Sequence, residues 1–416
     1  MVDAEEASTI GARARMIRRR RGLSLDVVAG FAGISAGYLS MLERGQRGFN
    51  RRGLLEDLAD ALGCSVADLT GQPYLPVDRQ TAIAAATIPD VSAALYDTTL
   101  DDVPDVPARP VEDLARAASK ALAHADDVQF AVAGRGLGAL ITELHVQAAN
   151  GDADAHRTAL AALVEVCIVA RALAGTLGHA ELAVAAARRG YDAARQLERL
   201  DLVGLMAMGR TMTLGRIGAR RRGYCVASRV LTELSSEPGP TSGDTAVAEA
   251  RGMLHLSAAL VSARDGRTSD ASAHLREARS LAAHTGERNH LRFHFGPANV
   301  AAWDLSIAVE TDTGPEAAER FTAAPIDLSV FGSRDREVSV HLDLARAWAQ
   351  SDGARDGEAL RALDTADRIA PLRVRNDSIA RDLVLTLDRR ARRRVWELDS
   401  LRNRFGVGRP LRSVKH

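Results

Sequence analysis

The sequence predicts an all-α protein, a compact five-helix head followed by an α-solenoid. Three observations carry the prediction. No stretch of the 416 residues sustains the strict alternation of a half-buried strand. Apolar residues recur instead at helical spacing, in segments of roughly 12–25 residues. Short breaks such as Asn150-Gly151-Asp152, Leu177-Gly178-His179 and Asp265-Gly266 separate them. Aromatic residues are only 4% of the chain, which leaves the core to Ala, Leu and Val. Such small side chains let helices approach closely and stack in pairs.

Helix one of the head is expected over Ile10–Arg20, with Ile10, Ala14 and Ile17 on one face and Gly22 ending it. Ser24 is placed to cap helix two, Leu25–Gly30. A tight turn at Ala32-Gly33-Ile34 leads to Ser35, which caps helix three as far as Arg44. Gly45 suits the left-handed exit that a helix end often needs. Helix four, Arg52–Leu62, carries Leu54, Leu55, Leu58, Ala59 and Leu62 at core spacing, and Ser65 caps a last short helix reaching Leu69. A tight turn between two short helices is how a helix-turn-helix unit is built, so double-stranded DNA is the leading partner.

Formal net charge is zero, but the charge is segregated. Ala12 to Arg52 holds ten arginines and two acids, Asp26 and Glu43, whereas Gly53 to Gln72 has four acids and no base. The local field, rather than the total charge, sets affinity for a phosphate backbone. Residues 1–72 are therefore read as a DNA-binding domain. Residues 73–110 contain six prolines and a run of aspartates and read as a linker with one short helix around Thr81–Ala86. Residues 111–408 form the helical-repeat domain. Its clearest repeat, His341–Pro371, sets Leu344, Ala345 and Trp348 against Ala359, Leu363 and Ala366, and is similar to a tetratricopeptide repeat. Ala180–Leu197 is a weaker match.

Residues 10–70 resemble the Cro/C1-type, or Xre-family, helix-turn-helix domain through IRRRRGLSLDVVAGFAGIS, AGYLSMLERG and LLEDLADALGCSVADL. Asp26 stands where that family often has a Gln bracing a phosphate, and Gly30 where it often has Ala or Glu. The longer region resembles actinobacterial regulators that join such a head to a tetratricopeptide-like array, through FGPANVAAWDLSIAVE, DREVSVHLDLARAWAQ and RARRRVWELDSLRNRFGV.

The resemblance implies that helix three enters the major groove. It places Ser35, Ala36, Gly37, Tyr38, Ser40 and Met41 on or beside the reading surface. Arg44, Arg47, Arg51 and Arg52 are expected at phosphates, while Asn50 is divided between DNA and capping helix four. Glu43 would repel phosphate and is assigned a structural salt bridge to helix one or two. One such head covers a single half-site, which implies a homodimer on a palindromic operator. Within the array, Arg216, Arg220, Arg292, His294, Asn299 and Trp303 are the candidates for an effector groove that takes a peptide or a small molecule.

Other function classes find little support. No phosphate loop, H-E-x-x-H or G-x-S-x-G motif occurs, and His290 and His294 lack a third metal ligand. No enzyme activity, metal or cofactor is expected. Cys64, Cys167 and Cys225 are far apart and fit a reducing cytoplasm. Met1–Ser8 is acidic without an apolar core, and windows such as Ala159–Leu173 are broken by charge, so no membrane partner is expected. The expected function is a sequence-specific DNA-binding transcription regulator whose array senses an effector, mediates dimerisation, or both. The alternative is an interaction scaffold for which the head is only an anchor.

Overall fold

A computed structural model describes residues 9–235, 245–391, 393 and 395–407. Met1–Ser8, residues 236–244, Arg392, Arg394 and residues 408–416 lie outside the described residues. Among the described residues the regular elements are all helical.

The head comprises α1 (Ile10–Arg20), α2 (Leu25–Phe31), α3 (Ala36–Glu43), α4 (Arg52–Leu62) and α5 (Val66–Thr70). Local chemistry sets the boundaries. The hydroxyls of Ser24 and Ser35 accept from the Val27 and Tyr38 amides, occupying N–H groups that each helix leaves free. Ser65 forms a reciprocal capping box with Asp68. Gly63 ends α4 in the left-handed conformation that a Cβ would disfavour. Leu39, Leu42, Phe49, Leu55, Leu58 and Leu69 fill a core of their own.

Inside this core edge Arg18 holds Glu43 through two nearly parallel hydrogen bonds of 2.6 and 2.7 Å. Its third donor reaches the Leu23 carbonyl. The Glu43 carboxylate is thereby neutralised and withdrawn from the head's surface, as its place in the sequence suggested.

Residues 73–110 are more ordered than a linker reading implies. They carry two helices, α6 (Arg79–Ala85) and α7 (Ile88–Asp97), with Ala84, Val91 and Leu95 in the large core. Pro89 falls in the first turn of α7, where its missing N–H breaks no hydrogen bond.

The remaining chain runs through α8 (Val111–Asp126), α9 (Phe130–Ala133), α10 (Leu137–Asn150), α11 (Ala153–Thr176), α12 (Ala180–Gln196) and α13 (Leu200–Arg216). It continues as α14 (Arg220–Ser235), α15 (Thr245–Arg264), α16 (Thr268–Thr285), α17 (Pro297–Glu310) and α18 (Gly314–Ala323). The last described helices are α19 (Arg334–Ala349), α20 (Asp356–Ile369), α21 (Pro371–Arg375), α22 (Ser378–Arg390) and α23 (Trp396–Phe405). Successive helices pack pairwise, most extensively α11 on α12, α15 on α16, and α19 on α20. Two cores result, one from α6 to α17 and one from α17 to α23. Close approach is built in: a Cβ on Gly252 of α15 would lie 2.0 Å from the Phe295 ring.

At 24 residues α11, which contains the charge-broken window 159–173, is long and apolar enough to cross a membrane by length and composition. In this fold it is the central core helix, with Leu163, Val166, Val169 and Leu173 fully buried.

Replacing Glu43 with Ala leaves Arg18 buried without its counter-ion. Denaturant unfolding of the full chain is expected to show a loss of about 3 kcal/mol, the scale for breaking a buried pair. Arg15→Ala, at an exposed site on the same helix, is expected to stay within about 0.5 kcal/mol of wild type.

Candidate nucleic-acid interface and its contact with the array

The face expected to read DNA is open at its centre. Gly33, Ser35 and Gly37 are exposed, and a Cβ added to Gly33 or Gly37 would meet no atom within 4 Å. Ala36, Ser40 and Met41 are half-buried, and Arg44 is exposed. Arg15, Arg19, Arg20 and Arg21 keep the head's outer surface basic. Arg13 does not add to it, because its guanidinium donates to the Thr70 carbonyl within the head.

The loop that follows α3, and the start of α4, face the array instead. Phe49 is buried, and its amide donates to Asp382 Oδ2 of α22 at 2.9 Å. Asn50 does not cap α4: its carbonyl accepts from Arg346 Nε at 2.9 Å. The N-cap position falls to Arg51, which makes no side-chain capping bond. The missing cap comes from α17, where Glu310 Oε2 accepts the Gly53 amide at 3.1 Å. A carboxylate at a helix N-terminus also meets the positive end of the helix dipole.

Glu310 is nearly inaccessible and its other oxygen is shared by Arg346 at 2.7 Å and Arg264 at 3.3 Å. Burial alone would raise its pKa, but Arg346 and Arg264, with the Gly53 amide, bring it down to about 2. The packing is close here. A Cβ on Gly53 would stand 2.7 Å from the Arg264 carbonyl oxygen, and one on Gly48 would stand 3.3 Å from Thr386 Cβ.

Several expected phosphate contacts are therefore occupied. Arg52 lies against the array, donating to the Arg216 carbonyl at 3.4 Å and standing 3.3 Å from Glu56. This departs from its expected place at a phosphate, because the first turn of α4 is the docking surface. Arg47 pairs with Asp352. Arg51 and Tyr38 line a cleft together with Asp312, Asp352 and Arg390 of the array. Burial raises the Tyr38 hydroxyl pKa against the pull of Arg51, and Asp312 adds to the rise.

Of the six array residues expected at an effector groove, Arg216, Arg292, His294, Asn299 and Trp303 line one central cavity. Arg220 does not. It pairs with Asp57 of the head and donates to the Arg264 carbonyl at 2.8 Å, so it is a docking residue. Asn299 bridges the Phe293 carbonyl and Arg336 at 2.9 and 2.6 Å. Burial and the nearby Arg336 hold the His294 pKa down to about 4.

The residues sequence reasoning missed are Glu310, Asp382, Arg171 and Arg336. Two had a visible signal. Arg171 is the one base inside the apolar run 159–175 of α11, and Glu310 falls on the helical stripe of Trp303 and Ile307. Among the described residues no group of three or more His, Cys, Asp or Glu is placed to hold a metal ion.

Glu310→Gln and Gly53→Leu are each expected to loosen the head. Trypsin cleavage after Arg47 and Arg51 should then be about tenfold faster than in wild type, with about 1.4 kcal/mol per factor of ten in the opening equilibrium. Because the Glu310 pKa is depressed, its contribution is complete above about pH 4.5 and drains as the pH falls toward 2. Hydrogen exchange at the Gly53 amide should accelerate over that window beyond the intrinsic pH trend, and less so in Glu310→Gln.

Residues 9–70 match the family model of a helix-turn-helix domain. No curated protein and no solved structure matches the chain. The head is thus an N-terminal helix-turn-helix domain of the Xre, or Cro/C1, type, a non-catalytic DNA-binding fold that supports a DNA-binding regulatory role for the chain.

Proposed function

We propose that the chain is a sequence-specific transcription regulator that binds a palindromic operator as a homodimer in the cytoplasm. Its C-terminal helices are a tetratricopeptide-like α-solenoid that senses an effector and joins the two copies. The observation that carries the reading is the division of the head's surface. Ser35 and Gly37, at the start of α3, are open to a base edge, while the loop after the helix is held by Asp382, Glu310 and Arg346. Ser35, Tyr38 and Ser40 read bases, and Gly37 lets the helix approach the duplex closely; Arg44, with Arg47 and Arg51 once freed, positions phosphates. The docked arrangement is the weakly binding state, since Asp312 and Asp352 stand beside the reading helix where a phosphate chain would pass. DNA binding therefore requires the head to leave the array.

Gel shifts with the region upstream of the gene, repeated across salt concentrations, test the assignment. A sequence-selective shift that weakens with salt is expected; no selective shift at any genomic site would sink it. Tyr38→Ala is expected to narrow the gap between operator and random DNA by about 1–3 kcal/mol, whereas Arg44→Ala weakens both alike. Glu310→Gln, which lies in the array and changes no atom of the head, is expected to bind the operator about tenfold more tightly than wild type by weakening the docked competitor.

A further inference from the structure

A cavity of about 310 Å³ lies where α8, α11, α13, α15, α17 and α19 converge. This is the low end of the volumes that hold small ligands. One part of its wall is apolar, from Leu122, Phe130, Ile168, Met208, Met212 and Met253. The rest is rich in donors without partners. Arg171, Arg336 and Trp303 all line the cavity, and Arg171 Nε, Arg336 Nη2 and Trp303 Nε1 are buried without a hydrogen bond. Arg171 has no hydrogen bond or ion pair of any kind among the described residues. A buried donor left in this state costs about 1–3 kcal/mol, and native structures keep few of them.

The acceptors on the same wall are already taken. Asp335 pairs with Arg373, Asp343 with Arg346, and Asp126 with Arg292, while Asp377 caps α22. Among the described residues Arg216 and Arg336 have no carboxylate partner: Arg216 donates to the Gly175 carbonyl and Arg336 to the Asn299 amide oxygen. Gly175 is one turn beyond Arg171 on α11, which brings these cations together. Arg171, Arg216 and Arg336 all feel the charge of Arg373. Burial lowers the Arg216 pKa to about 9 and that of Arg336 to about 10. The wall thus offers spare donors and spare positive charge, while its carboxylates are engaged by arginines or by a helix end.

We propose that this cavity binds a small organic anion with an apolar body, a medium-chain or aromatic carboxylate being the simplest, its charged group held by Arg171 with Arg216 and Arg336. The regulatory consequence rests on the DNA-binding reading above. Arg52 belongs to the head, yet borders the cavity. A bound anion therefore attracts the docked head and not the released one, and so lowers affinity for the operator.

The test uses the full chain with 8-anilinonaphthalene-1-sulfonate as a fluorescent anion. Octanoate, decanoate, phenylacetate and indole-3-acetate serve as competitors, with octanol and octylamine as neutral and cationic counterparts of octanoate. The probe is expected to bind, and at least one carboxylate to displace it about tenfold more tightly than the alcohol or the amine. Arg171→Met and Arg336→Met should each weaken that carboxylate about tenfold while far-UV circular dichroism is unchanged, and Arg171→Lys should retain part of the affinity. Displacement by none of the acids, equal displacement by the alcohol, or undiminished binding in both Met variants overturns the site. The same carboxylate should weaken operator binding in wild type and not in Arg52→Met. Anion binding without any change in operator affinity overturns the coupling to the head. Selective operator binding with no anion binding overturns the cavity assignment alone and leaves the DNA-binding reading standing.

Discussion

The arrangement depends on one buried carboxylate. Glu310 sits in the interior between Arg346 and Arg264, and gives its second oxygen to the amide of Gly53. A carboxylate this deep is tolerated only when its charge and its lone pairs are both satisfied. Two guanidinium groups supply the charge, and the uncapped end of α4 supplies a donor. The head is consequently not a free module on a tether. The first turn of its fourth helix is completed by a residue far along the chain, and Asp382 does the same for Phe49.

That solution uses surface the head also needs for DNA. The loop after α3 and the start of α4 are where a helix-turn-helix domain of this type is expected to hold phosphates. Here their amides and arginines face Glu310, Asp382, Asp352 and the Arg216 carbonyl. Acidic side chains in the array thus occupy places a phosphate would take, and the two partners compete for the same donors. The proposed function accordingly sets the docked head in equilibrium with a released one. Any ligand that interacts differently with the two states shifts it by that difference and no more. The cavity is well placed to do so, because a head residue, Arg52, forms part of its wall.

Much of the head was legible in the sequence because local chemistry sets its boundaries. Ser24, Ser35 and Ser65 cap the helices they precede, and the limits of α1 and α4 fall where the apolar pattern ends. Glu43 was readable as structural because an acid at a phosphate-facing site needs an internal partner, and Arg18 is that partner. The two helices in 73–110 were harder to see. Their prolines and aspartates signal a linker, yet Pro89 is harmless in a first turn, and Ala84, Val91 and Leu95 are held by distant helices. Arg52 and Arg220 failed for a shared reason. In sequence each is one arginine among many, and only long-range packing turns Arg52 inward and brings Arg220 to Asp57. Five of the six effector candidates do meet in one cavity, though the cation with the clearest need of a partner, Arg171, was hidden in an apolar helix.

The central claim is that docking and DNA binding exclude each other, and a reversible lock tests it directly. Cysteines placed at Gly48 and Thr386, in a chain whose exposed Cys225 is replaced by Ser, would bring two Cβ atoms about as close as a disulfide requires. Oxidation then fastens the head to the array without altering the reading helix. The account predicts that the oxidised protein loses selective DNA binding and that reduction restores it in the same sample. Equal operator affinity in the oxidised and reduced forms, with the crosslink verified by mass, would contradict it.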